Sequence, residues 1–78
     1  MDDDTRAAIE VLPTAGDALA AMGFADRPWM VSDLATALHI EQPTAQKIAA
    51  VWVERGAVLR GPAKGLAKGR YQFAEVGR

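Results

Sequence analysis

The spacing of apolar residues changes at Gly56, and this change is what most constrains the fold. Before it, four apolar residues recur at the i, i+3, i+4 and i+7 spacing of a helix with one buried face: Ala45, Ile48, Ala49 and Trp52. After it, residues 57–60 and 71–76 are predicted as two strands, with Tyr71 and Phe73 on one face of the second. The chain is therefore predicted to be α+β, with helices first and an antiparallel hairpin after them.

The part of the chain before the hairpin is predicted to form three or four helices. Residues 4–23 have the helical period, but Pro13 removes an amide donor inside them, so a break or a kink is expected there. The apolar residues 29–31 are predicted as a brief strand, and a second helix begins near Ser32 or its neighbour as the N-cap. The third helix is predicted to run from about residue 42 to residue 55.

Size and composition exclude several function classes. The chain has 78 residues, one His and no Cys, which predicts one small domain without disulfide, thiolate chemistry or a metal centre. No constellation of residues is typical of catalysis, so neither an enzyme activity nor a cofactor is predicted. The acidic N-terminus and the lack of an apolar run of roughly 20 residues predict a cytoplasmic protein without a membrane span. Trp29 and Trp52 are predicted to lie in the core.

Charge is distributed unevenly along the chain. Residues 1–27 carry two arginines against six carboxylates, a net charge of −4, whereas residues 28–78 carry seven basic against four acidic residues, a net charge of +3. The basic part includes residues 61–69, where three glycines predict a long, flexible hairpin loop. A basic half of this kind favours a polyanionic partner.

From Trp29 onward, the order and spacing of the predicted elements resemble the winged helix-turn-helix domain of small bacterial or phage regulators of the MarR type. Four stretches carry the resemblance: residues 32–35 with Leu38, residues 40–44, residues 54–58 and residues 69–73. They match the first helix of the motif, the turn with the start of the recognition helix, the first wing strand and the returning strand. The resemblance implies three to four helices with a C-terminal β-hairpin as the wing. It divides the chain into an N-terminal helical segment, residues 1–28, and a winged core, residues 29–78.

The resemblance implies a small transcriptional regulator that binds double-stranded DNA sequence-specifically, with the third helix in the major groove. The implied contact residues are Gln42, Thr44, Gln46 and Lys47 on that helix and Arg60, Lys64, Lys68 and Arg70 on the wing. Gln and Thr can bond base edges, whereas Lys and Arg neutralise phosphates. Because palindromic sites require two-fold symmetry, a homodimer is expected, with residues 4–23 as the candidate dimerisation segment.

Three residues near the turn depart from the family's pattern. His39 stands where the family usually has Gly, so a positive φ there is expected to be strained. Glu41 places a carboxylate near DNA phosphates, and Lys47 is the only basic residue at the start of the third helix. These departures keep an alternative open, in which the domain docks onto a protein, as a complex subunit or as a phage- or plasmid-type inhibitor of a host nucleic-acid-binding machine. An apolar patch over the third helix would favour that alternative.

Overall fold

Three helices precede a two-stranded antiparallel sheet in the computed structural model, which describes residues 3–63 and 65–74. The elements are α1 (Asp3–Ala21), α2 (Val31–Leu38), α3 (Gln42–Glu54), β1 (Val58–Arg60) and β2 (Tyr71–Phe73). In the sheet, Leu59 lies opposite Gln72. The α+β class predicted from the change at Gly56 is therefore confirmed. The strands are shorter than predicted, because β1 omits Ala57 and β2 ends at Phe73; residues 75 and 76 lie outside the described residues.

α1 is one continuous helix of 19 residues, so a break at Pro13 is wrong, and the alternative of a kink within the helix stays a prediction. Pro13 is exposed, and its ring costs α1 one hydrogen bond without disturbing the core. Ala8, Ala15 and Leu19 are buried on both sides of the proline. Their packing keeps the two halves of the segment in a single helix.

The segment Asp3–Phe24, which is α1 with the turn after it, is long and apolar enough to cross a membrane by length and composition alone. It has 22 residues and a mean hydropathy of 1.2, and 17% of its most apolar window is buried. The sequence analysis predicts no apolar run long enough to span a membrane, and this segment differs from that prediction. A single segment of this kind is weak evidence, because core helices of soluble proteins and signal sequences have the same length and composition.

α2 begins earlier than expected, since its N-cap is Met30 rather than Ser32 or a neighbour of Ser32. The carboxylate of Asp33 accepts a hydrogen bond of 2.8 Å from the Met30 backbone N–H and thereby satisfies an amide at the helix start. α2 ends at Leu38, and the next residue, His39, is its C-cap, with φ 56° and ψ 45°. A side chain with a Cβ is disfavoured in this left-handed conformation, so the turn stores strain at His39.

α3 has the buried face that the spacing of its apolar residues predicts. Ala45, Ala49 and Trp52 are buried, and Ile48 is half-buried. The helix ends one residue before the predicted boundary, with Arg55 as C-cap. Its ends thus agree with the sequence to within one residue.

The predicted strand at residues 29–31 is reduced to one residue. Trp29 and Tyr71 form an isolated antiparallel bridge, in which each backbone N–H donates to the other's carbonyl at 2.8 Å. Met30 and Val31 belong instead to the start of α2. The bridge attaches the segment before α2 to the edge of the hairpin.

The core is an aromatic cluster between the helices and the hairpin. Trp29 is stacked on Tyr71 at a centroid distance of 5.2 Å and meets Trp52 edge-on at 6.3 Å, and Phe73 contacts both tryptophans. Trp29 and Trp52 are 0% and 1% exposed, which confirms their predicted place in the core. The Trp52 indole N–H donates to the Ala8 carbonyl at 2.7 Å and so ties α3 to α1.

Candidate nucleic-acid interface

The first half of α3 presents polar side chains to solvent. All four residues predicted there as DNA contacts are exposed: Gln42, Thr44, Gln46 and Lys47. They are exposed because Ala45 and Ala49, between and after them, face the core. All four side chains are thus accessible on α3, and two of them, Thr44 and Lys47, lie on the side that faces α1.

The short turn between α2 and α3 fixes the start of α3. The Ile40 N–H donates to the Ala35 carbonyl at 3.0 Å, which closes the end of α2. The Ala45 N–H donates to the Glu41 carbonyl at 3.0 Å, which opens α3. With both ends of the turn bonded, the exposed side chains of α3 are held on a defined backbone.

A groove of about 320 Å³ separates the first half of α3 from the N-terminal part of α1. Its lining is largely apolar, with one carboxylate and one ammonium group: Asp4, Ala7, Ala8, Thr44, Lys47, Ile48 and Val51. Asp4 and Lys47 thus face one groove, although no ion pair joins them within residues 3–63 and 65–74. The acidic start of α1 lies beside two predicted DNA contacts. No local sequence pattern reveals this neighbourhood, because it depends on how α1 packs.

The hairpin carries the remaining predicted contacts. Arg60 ends β1, Arg70 precedes β2, and Lys68 lies in the loop between them; all three side chains are exposed. The Gly61 N–H donates to the Arg70 carbonyl at 2.8 Å, which holds the two arginines at the same end of the hairpin. Lys64, the fourth predicted wing residue, lies outside the described residues.

Part of the hairpin loop, which its glycines predict to be flexible, is packed against the rest of the protein. Leu66 is 8% exposed, and its N–H donates to the Ala63 carbonyl at 2.8 Å. Gly61 is buried, and a Cβ built on it would collide with the Ala67 carbonyl. The described part of the loop therefore folds back on itself around an apolar residue.

Sequence reasoning missed Arg27. This residue lines a second cavity of about 320 Å³ together with Arg70 and four other residues: Pro28, Gly65, Leu66 and Ala67. The Arg27 guanidinium also lies 6.0 Å from the centre of the Phe24 ring. No periodicity links residues this far apart in the chain, and the Trp29–Tyr71 bridge is one of the contacts that bring the two segments together.

Metal-ligating residues do not cluster in the described part of the chain, where no group of three or more His, Asp or Glu side chains is close enough to hold an ion. His39 is exposed in the turn. Comparisons of the chain with protein-family models, with curated proteins and with solved structures found no match. The geometry of the chain itself is therefore the basis for assigning a function.

Proposed function

We propose that this protein binds double-stranded DNA as a small transcriptional regulator with a winged helix-turn-helix fold. One observation carries the proposal: α2 and α3 are joined by a short turn whose two ends are hydrogen-bonded, and the start of α3 is polar and exposed. A helix held in this way can enter the major groove of B-DNA. The antiparallel hairpin after α3 supports the proposal, because in this fold a wing follows the recognition helix.

The side chains on α3 suit base recognition. Gln42 and Gln46 carry amides that can bond adenine bidentately, and the Thr44 hydroxyl can bond a base or a phosphate. Lys47 adds a charge for guanine or phosphate. The hairpin residues Arg60, Lys68 and Arg70 contribute phosphate contacts, which add affinity without sequence information.

A homodimer through residues 4–23 completes this proposal, because a single small module offers a limited interface with DNA. The support lies at the C-terminal end of α1, where Ala20 and Ala21 are exposed and Met22, directly after the helix, is 40% exposed. Sedimentation equilibrium over a range of concentrations tests the dimer. Met22→Asp is expected to shift the equilibrium towards the monomer, and a monomeric wild type at every concentration would contradict it.

The test of the proposal is selection from a random duplex pool, followed by titration of the selected and random duplexes across a salt series. Gln46→Ala is expected to weaken the selected site by about 1–3 kcal/mol and random DNA hardly at all. Replacing Lys64 and Lys68 by Ala is expected to weaken both duplexes alike and to flatten the log–log salt slope by about 2. Gln72→Ala, on β2, is the control for the lost amide. If no duplex binds at low salt, the proposal is wrong.

The groove between α1 and α3 favours a second candidate function, the docking of a protein partner. Ala7, Ala8, Ile48 and Val51 give this groove an apolar lining over the helix that the first proposal assigns to DNA. The two functions differ in one measurement. If the protein docks onto a partner, Ala7→Lys abolishes binding to that partner, and the wild type need not bind any duplex. If the protein is a DNA regulator, the wild type selects a sequence motif from the duplex pool.

A further inference from the structure

We propose that the cavity between the turn at residues 24–28 and the hairpin loop is a phosphate-binding site, in which Arg27 and Arg70 hold the anion between them. Both arginines line this cavity, together with Pro28 and three residues of the hairpin loop, Gly65, Leu66 and Ala67. Arg27 and Arg70 are both exposed, so an anion can reach them from solvent. The site lies away from α3 and is independent of the proposed DNA recognition helix.

The fold places the two arginines together through backbone contacts. The double hydrogen bond between Trp29 and Tyr71 aligns the segment that follows Arg27 with the strand that follows Arg70. The Arg70 N–H donates to the Ala67 carbonyl at 3.1 Å, which holds the loop against Arg70. Buried Leu66 fixes the same loop from the inside. The cavity is thus built by contacts that exist before any ligand arrives.

The charges around the cavity are unbalanced. Within residues 3–63 and 65–74, the lining of the cavity contains two arginines and no acidic residue, and neither arginine forms an ion pair with another described residue. Two like charges facing one cavity repel each other, and an anion between them removes that repulsion. Phosphate oxygens match the planar fork of arginine, which can donate two parallel hydrogen bonds. A volume of about 320 Å³ accommodates a phosphate group with bridging waters.

The phosphate group can come from two sources, the backbone of a nucleic acid or a free phosphate or phosphate ester.

The first test titrates the whole chain with inorganic phosphate at constant ionic strength, and ¹H–¹⁵N correlation spectra monitor the binding. Saturable shifts are expected at the amides of Arg27, Gly65, Ala67 and Arg70. Arg27→Gln and Arg70→Gln are each expected to weaken phosphate binding about tenfold or more, whereas the matched control Arg6→Gln, on α1, leaves it unchanged.

Arg27→Lys keeps the charge but loses the fork, so its phosphate affinity is expected to lie between those of the wild type and Arg27→Gln. The spectra also show directly whether each variant is folded. Absence of saturable shifts at these amides would overturn the proposal, as would equal losses of affinity in Arg6→Gln and Arg27→Gln. An unfolded Arg70→Gln would leave the two substitutions at Arg27 as the deciding pair.

The second arm repeats the comparison with a random duplex. Arg27 decides this arm, because Arg70 is already a proposed DNA contact. If the duplex affinity falls in Arg27→Gln but not in Arg6→Gln, the ligand is a backbone phosphate. If Arg27→Gln weakens the binding of inorganic phosphate and leaves the duplex affinity unchanged, the ligand is a free phosphate or phosphate ester. Because the phosphate arm requires no DNA binding, its failure is distinguishable from a failure of the proposed function.

Discussion

Trp52 connects α3, α1 and the hairpin through one side chain. Its ring meets Trp29 and Phe73, and its N–H bonds the Ala8 carbonyl on α1. The hydrogen bond satisfies a polar group that would otherwise be buried at a cost. One side chain therefore contributes packing to the aromatic cluster and a fixed position to α1.

Trp52→Ala is expected to lower the free energy of unfolding by about 3–5 kcal/mol, because it leaves a large cavity in the core. A domain of this size has a total stability of about 5 kcal/mol, so the variant should be largely unfolded at 37 °C. Urea denaturation followed by circular dichroism measures the loss. Trp52→Phe keeps an aromatic ring and loses the bond to Ala8, so an intermediate stability is expected. A melting temperature near that of the wild type for Trp52→Ala would contradict the buried position.

His39 offers the opposite change, a substitution that stabilises. Its φ of 56° costs a residue with a Cβ about 1–2 kcal/mol, and glycine avoids this cost while losing more entropy on folding. His39→Gly is therefore expected to raise the free energy of unfolding by about 0.5–1 kcal/mol. His39→Ala retains the Cβ and serves as the control, with no gain expected. A lower melting temperature for His39→Gly would show that the imidazole itself contributes to the turn.

Two glycines in different elements are expected to respond in opposite ways to replacement by alanine, one losing stability and the other gaining it. Gly61→Ala places a methyl group against the Ala67 carbonyl, so the hairpin loop must shift, at an expected cost of about 1–3 kcal/mol. Gly16→Ala lies within α1, where the added methyl meets no atom within 4 Å. It is expected to gain about 0.5–1 kcal/mol from helix propensity. Thermal melts of both variants test the pair, and a neutral Gly61→Ala would contradict the close packing of the loop.

The sequence predicted the elements better than their connections. The buried face of α3 and its end near Gly56 follow from local patterns that act within a few turns. The continuity of α1 through Pro13 did not follow, because burial of Ala8 and Leu19 against other elements offsets a local penalty. Similarly, the strand predicted at residues 29–31 is reduced to the Trp29 bridge, because the next two residues, Met30 and Val31, are the N-cap and first residue of α2.

The candidate site was predictable only where one element carries it. Exposure of Gln46 and Lys47 follows from the position of the buried face on α3 itself. In contrast, the approach of Asp4 to Lys47 depends on the packing of α1, and the pairing of Arg27 with Arg70 depends on a bridge between distant segments. Contacts of these two kinds leave no local trace in the chain.

In the folded molecule, the acidic start of α1 and the basic hairpin line different cavities, and Arg27, from the acidic part of the sequence, joins the hairpin. The acidic start of α1 lies at the groove beside α3, whereas two arginines share the cavity at the hairpin. Under the proposed function, a DNA phosphate near α3 is repelled by Asp4, while phosphates near the hairpin are attracted. The basic hairpin therefore supplies more of the non-specific affinity than α3 does.

Asp4→Asn is accordingly expected to strengthen duplex binding about two- to fivefold at low salt, because it removes a carboxylate from the groove that Lys47 lines. The gain should shrink as the salt concentration rises. Asp17→Asn is the matched control, since it makes the same change in net charge at an exposed position of α1 outside the groove. Duplex titrations of both variants compare position with net charge. Equal effects of the two substitutions would show that Asp4 does not face the DNA.

The bridge between Trp29 and Tyr71 also affects the order in which parts of the protein can fold during synthesis. α2 and α3 are neighbours in the chain and can pair as soon as both have emerged from the ribosome, since they close only a short loop. The indole of Trp29 has no ring to stack on until β2 follows, more than half the chain later. In a nascent chain that has not yet released β2, Trp29 can meet Trp52 but lacks its contacts with Tyr71 and Phe73, and partly uncovered apolar surface of this kind is what chaperones recognise.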